Sequence, residues 1–133
     1  MSTRTLRILV AEDNDVNQML TTRFLQHLGH AAVPALDGRE VLAALEREAA
    51  AGRPVDLVLM DVQMPGMTGL EAAVAIRAET SGRFDPRVPI IALTAHTMDE
   101  ERRACLEAGM DGHISKPIEL EELQAAVLRY AKD

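Results

Sequence analysis

Five side chains are of the types that handle metals and phosphate groups: the adjacent acids Glu12 and Asp13, a third acid at Asp61, a hydroxyl at Thr94 and an ammonium at Lys116. Three carboxylates brought into one pocket repel one another and raise at least one pKa. A hard divalent cation relieves this, and Mg2+ takes about six oxygens, usually one or two carboxylates, a carbonyl and waters. A carboxylate held by a metal and flanked by a Lys and a hydroxyl can accept a transferring phosphoryl group. The metal and the ammonium neutralise the equatorial oxygens, and the hydroxyl donates to one of them. Each residue also has a plainer reading. Glu12 and Asp13 could cap a helix and complement its dipole, Thr94 could be a capping hydroxyl, and Lys116 a solvated surface residue.

The elements that carry these residues favour a shared site. Five short apolar runs alternate with five helical patterns. The runs are Arg7–Ala11, Ala31–Ala35, Val55–Met60, Val88–Leu93 and Gly112–Ser115. The first, third and fourth are nearly continuous Val, Ile and Leu, as in strands buried on both faces of a parallel sheet. The first helix is expected over Asp15–Leu28, with Val16, Leu20, Phe24 and Leu28 as its core stripe, Met19 and Leu25 widening it, and Gly29 at its C-terminus. The second starts near Asp37, and the third near Thr68. Asp37 with Glu40, and Thr68 with Glu71, have capping-box spacing. The fourth covers about Thr97–Ala108, and the fifth about Leu120–Ala131 with Leu120, Leu123 and Val127 on one face. This alternation implies an α/β sandwich around a parallel sheet. Glu12 and Asp13 follow the first strand, Asp61 the third, Thr94 the fourth and Lys116 the fifth. All lie at carboxyl ends, where open α/β sheets bind ligands.

Composition narrows the class. The 133 residues suit one domain, with 47% hydrophobic and 26% charged residues, and the core must be aliphatic because there is no Trp, one Tyr and two Phe. The net charge of −7 and the lack of a Lys/Arg cluster argue against nucleic-acid binding. A single cysteine, Cys105, excludes a disulfide framework and reads as a packed thiol. No signal peptide and no membrane-length apolar run is present, so a cytoplasmic setting without membrane insertion is expected.

Four segments carry a resemblance: AEDN (Ala11–Asn14), LMDVQMPGMTG (Leu59–Gly69), ALTA (Ala92–Ala95) and SKPI (Ser115–Ile118). In order and spacing they resemble the receiver domains of two-component response regulators, over about Leu6 to Tyr130. The segments Glu12–Gln18 and Ala108–Ile118 look most like the receivers of hybrid histidine kinases. The resemblance implies a single receiver domain over residues 1–133, with its core over about 6–130. Its fold would be flavodoxin-like, five parallel strands in order 2-1-3-4-5 with five helices. It implies Asp61 as phosphoryl acceptor, and Mg2+ held by Asp13, Asp61 and the backbone carbonyl of Gln63, with Glu12 supporting it through water. Thr94 and Lys116 would contact the phosphoryl group. A cis Lys116–Pro117 bond would turn Lys116 back toward Asp61. The implied partners are a histidine kinase or a histidine phosphotransfer domain, meeting a surface around Asn14, Asn17 and Thr21.

The chain departs from the family pattern on the fifth strand, where the usual aromatic switch residue is His113; Thr94 and His113 would form the switch. Gln63 and His96, two residues past Asp61 and Thr94, would line the entrance to the acceptor. His27 and His30 flank Gly29 and read as surface polarity. The Met residues of the QMPGM segment would pack its loop, with Pro65 and Gly66 setting the turn. Two competing functions are weaker. A phosphatase with an aspartyl-phosphate intermediate would carry an acid two residues after its nucleophile, where this chain has Gln63. A flavin-binding electron carrier is disfavoured by the scarcity of aromatics.

Overall fold

The computed structural model describes residues 5–95 and 99–130. Its strands are β1 (Arg7–Ala11), β2 (Ala31–Ala35), β3 (Leu57–Asp61), β4 (Ile90–Thr94) and β5 (Gly112–Ser115). Its helices are α1 (Asp15–His27), α2 (Gly38–Ala50), α3 (Gly69–Arg77), α4 (Asp99–Glu107) and α5 (Leu120–Tyr130). The five strands form one parallel sheet in the order β2-β1-β3-β4-β5, as expected for a flavodoxin-like fold. The third and fourth strands start later than their apolar runs and reach one residue further. Asp61 and Thr94 are therefore the last residues of β3 and β4 rather than the residues after them. His96, Thr97 at the expected start of the fourth helix, and Ala131 at the expected end of the fifth lie outside the described residues.

Strand side chains alternate between faces, and two aliphatic cores result. Leu9, Ala11, Val58, Met60, Ile90 and Ala92 pack with residues of α2, α3 and α4. Ile8, Val10, Leu57, Leu59, Ile91 and Leu93 pack with Leu25 of α1 and Leu123 and Val127 of α5. Cys105 is buried in the first of these cores, as its composition suggested. Met64 is buried there too, with Met67 packed against it.

Helix starts follow local chemistry. Asn14 caps α1 by accepting from the Asn17 N–H, and such a cap is worth about 1 kcal/mol. Thr68 and Glu71 form the full capping box at α3. The box expected at α2 is only half present. Asp37 accepts from the Glu40 N–H, but the Glu40 carboxylate reaches one residue further back, to the Leu36 N–H. Gly29 ends α1 with φ of 89°, a left-handed conformation that glycine adopts freely.

One helix face differs from its expected orientation. Val16 and Met19 of α1 are 66% and 50% exposed, and Leu20 is also exposed. Phe24, Leu25 and Leu28 of the expected stripe do pack on the core, but nearer the start of the helix Gln18 and Thr21 turn inward in place of the apolar residues, with Thr21 and Leu25 fully covered. This part of the helix lies over strand ends whose carbonyls need donors, and a polar side chain serves there better than an apolar one. Thr21 therefore belongs to the packed side of α1 and not to the open surface expected for it.

His30 also departs from its expected surface role. It is buried, and its Nδ1 accepts from the Leu6 N–H at 3.1 Å. Burial holds its pKa below the ordinary 6.5, against the pull of nearby Asp56.

Candidate functional site

β1 lies between β2 and β3 in the strand order, and the chain winds outward from it to β2 on one side and to β3 on the other. That reversal leaves a crevice at the carboxyl ends of β1 and β3, the ligand position of open α/β sheets. A cleft of about 240 Å3 opens there, lined by Glu12, Asp13, Asp61, Gln63 and Lys116 among others. The carboxylates of Glu12, Asp13 and Asp61 each offer an oxygen within 4.8 Å of the others. At that spacing two full charges repel by about 3.5 kcal/mol in a medium of effective dielectric 20.

Lys116 offsets part of this repulsion. Its Nζ donates to Asp61 Oδ2 at 2.8 Å and lies 2.9 Å from Glu12 Oε2. Burial works against its charge, but the contacts with Asp61 and Glu12 outweigh that and raise its pKa. The Lys116–Pro117 peptide bond is cis. Glu12 is 1% exposed, and burial above all, with the neighbouring Asp61, raises its carboxyl pKa against the opposing Lys116 and Asn14 N–H. The pKa rise expected from converging acids thus falls on Glu12, with burial as its main cause. Asp61 is 6% exposed, and its second oxygen, Oδ1, accepts from the Gln63 N–H at 3.1 Å. Asp13 is exposed, so its carboxylate stands at the mouth of the cleft.

Thr94 sits differently from the others. Leu93 and Ala95 line the cleft, while Thr94 is 1% exposed and its Oγ1 has no hydrogen-bond partner among the described residues. A buried hydroxyl without a partner costs free energy. His113 is partly buried, and its pKa is lowered by burial and by the Arg102 charge. Asn14 and Asn17 also border the cleft. A second depression of about 300 Å3 adjoins it between α1 and the segment after β5, bordered by Leu20, Thr21 and Pro117.

The cluster fits a hard divalent cation. It offers an exposed carboxylate, two buried ones and the backbone of Gln63, and burial raises the carboxyl pKa of Glu12. Two residues of the site were missed from sequence. Glu101 of α4 borders the cleft, and only the fold brings it there. Gln18 bonds three backbone carbonyls around Glu12. Its position four residues past an N-cap Asn was the available signal.

Comparison with known proteins agrees with this geometry. Residues 8–128 match the model of the response regulator receiver domain. The chain belongs to that family. Over 98% of its length the receiver is 42% identical to the sensor protein GacS of Pseudomonas syringae pv. syringae. Over 92% it is 39% identical to hybrid signal transduction histidine kinase K of Dictyostelium discoideum. It spans only 14% and 10% of those two proteins. Among solved structures, it is similar to the receiver domain of a sensor histidine kinase from Pseudomonas aeruginosa that has a magnesium ion coordinated in its active site cleft. The TM-score there is 0.81 and the identity 38%, covering 96% of this chain and 98% of that one. The family match supports signalling and gives no support to a phosphatase.

Proposed function

We propose that the whole chain is one receiver domain that accepts a phosphoryl group on Asp61, from a phosphohistidine, in a Mg2+-dependent step. The observation that carries this reading is the setting of the Asp61 carboxylate. It is buried at the sheet's switch point, close to the carboxylates of Glu12 and Asp13 and bonded by the Lys116 ammonium that Glu12 shares. Asp13, Asp61 and the Gln63 carbonyl would hold the ion, with Glu12 supporting it through water. When bound, it neutralises charge on the acids and on the phosphoryl oxygens. Lys116 orients the Asp61 carboxylate through its hydrogen bond, then neutralises the incoming group. Thr94 supplies its free hydroxyl to a phosphoryl oxygen. The bond from an Asp61 carboxylate oxygen to phosphorus forms as the bond from phosphorus to the donor's imidazole nitrogen breaks, and the released ring takes up a proton from water.

The partner is a histidine kinase or a histidine phosphotransfer domain, as the hybrid-kinase relatives suggest. It would meet the surface beside the cleft, with Asn14, Asn17 and the exposed Val16, Met19 and Leu20 of α1 in contact. That surface keeps Asn14 and Asn17 of the expected set and leaves out the buried Thr21. Among the described residues no helix is long and apolar enough to cross a membrane, and a cytoplasmic setting fits the single unpaired cysteine. Thr94 would move toward the phosphoryl group, and His113 would follow it or face the partner. The domain acts only on itself, since Gln63 stands where a phosphatase carries its acid/base. Intact-mass spectrometry after incubation with acetyl phosphate should show one added phosphoryl group with Mg2+ and none with EDTA. Hydrolysis of para-nitrophenyl phosphate should stay at background; turnover there would overturn the reading in favour of a phosphatase.

A further inference from the structure

Gln18 lies one turn into α1, on the face turned toward the sheet. Its Nε2 donates to the carbonyls of Val10 at 2.9 Å, Glu12 at 3.3 Å and Ala35 at 3.3 Å. The Ala35 carbonyl also accepts from the Glu12 N–H at 3.0 Å. One amide therefore ties together the carboxyl ends of β1 and β2 and the backbone of Glu12 on both sides. Its other end is held as well, since the Thr22 hydroxyl donates to Gln18 Oε1 at 3.4 Å. The backbone that Gln18 grips leads directly into Asp13. Among the described residues Gln18 makes no hydrogen bond to either acid's carboxylate, so an effect on metal binding would pass through that turn.

We infer that Gln18 is a positioning residue for the metal-binding acids, holding the Glu12–Asp13 turn so that both carboxylates face Asp61. The inference rests on the Mg2+-dependent acceptor reading above. A Gln in a helix has a plainer use, as a satisfied polar contact that adds only stability. The two roles separate by measurement. A stabilising contact lowers the unfolding midpoint and leaves Mg2+ affinity alone. A positioning contact weakens Mg2+ affinity in protein that is still folded. It also leaves the labelling rate recoverable at high Mg2+, because every ligand is still present.

The test uses Gln18→Met, which keeps the length and removes the donors, and Gln18→Glu, which keeps the shape and sets oxygen against the carbonyls. Mg2+ alone is titrated by calorimetry, circular dichroism follows unfolding, and acetyl phosphate labelling is measured against Mg2+ concentration. Both variants should raise the Mg2+ dissociation constant about tenfold, the low end of what loss of a supporting contact costs a metal site. The maximal labelling rate should stay within about twofold of wild type, by the logic that separates lost binding from lost chemistry. Should either variant fail to fold, Thr22→Val, which only loosens the amide, should give a smaller rise in the same constant. Wild-type Mg2+ affinity in the folded variants would overturn the role of Gln18 alone. Wild-type protein that neither binds Mg2+ nor becomes labelled would overturn the acceptor reading and this inference with it.

Discussion

Gly69 opens α3, and a Cβ built on it would lie 2.1 Å from the Asp61 carbonyl oxygen and 3.0 Å from Val62 Cα. Ordinary contact begins near 3.4 Å, so in Gly69→Ala the helix start or the acceptor strand must give way by about 1.3 Å. The obstacle is backbone, so no side chain can swing aside. The Gly69 N–H also donates to the Val62 carbonyl at 3.0 Å, which couples the two segments. The displaced segment carries Asp61, held to Lys116 at 2.8 Å, and Gln63, whose N–H holds the other carboxylate oxygen at 3.1 Å. Overpacking of this kind costs about 1–3 kcal/mol of stability. A misplacement of about 1 Å at a reacting group can cost on the order of 100-fold in rate. Gly69→Ala should therefore stay folded by circular dichroism, with a lower urea midpoint, and lose about 100-fold in the labelling rate with acetyl phosphate. A folded variant labelled within about twofold of wild type would refute the reasoning, because it would show that the acceptor tolerates a shift the geometry says it cannot avoid.

Further outcomes follow from the same structure. Lys116→Met removes the only cation within salt-bridge distance of Glu12 and Asp61 among the described residues. It should weaken stability in EDTA by about 2–3 kcal/mol, below the 3–5 of a fully buried pair because Lys116 is partly exposed. It should also tighten Mg2+ binding and strongly slow labelling, as calorimetry and intact-mass assays would read. His30 gives a pH dependence. Its folded-state pKa lies below 6.5, so its contribution is complete above about pH 6.5. It is lost as pH falls through the folded value, because the unfolded chain takes up a proton that the folded one resists. His30→Gln should flatten the urea midpoint between pH 7.5 and 5.5, and an unchanged pH slope would contradict this. Asn17→Asp, at the rim of the cleft, should slow transfer from a phosphohistidine donor and spare labelling by acetyl phosphate. Equal loss with both donors would count against the docking surface.

The strands, and the gathering of Glu12, Asp13, Asp61 and Lys116 at their carboxyl ends, were legible in the sequence because both rest on short-range signals. Buried parallel strands are written as unbroken aliphatic runs, and the polar residues that end them are conspicuous for that reason. The inward face of α1 was legible only in its second half, at Phe24, Leu25 and Leu28. Periodicity equates apolar with buried, whereas here Gln18 and Thr21 turn inward and Val16, Met19 and Leu20 stay outside. His30 was misread for a similar reason. A single polar residue beside a helix-ending glycine looks like surface until its partner, the Leu6 N–H, is known to lie opposite. Glu101 reaches the cleft only through the packing of α4, which no local pattern reports. Capping was read well where hydroxyl and carboxylate alternate at α3, and half well at α2, where the choice between the N–H groups of Leu36 and Asp37 depends on the entry of the chain.

The central claim is that Asp61, and neither of its neighbouring acids, takes the phosphoryl group. Glu12 has one oxygen against the Asn14 N–H and the other against Lys116, and Asp13 is exposed at the mouth of the cleft, whereas Asp61 ends β3 beside both acids and accepts from Lys116 and from the Gln63 N–H. The direct measurement is to incubate the chain with Mg2+ and acetyl phosphate, trap the acyl phosphate by borohydride reduction and map the modified residue by mass spectrometry. The label should fall on Asp61, vanish in Asp61→Ala and with EDTA, and drop strongly in Asp13→Ala. A label on Glu12 or Asp13 of the wild-type chain would contradict the assignment.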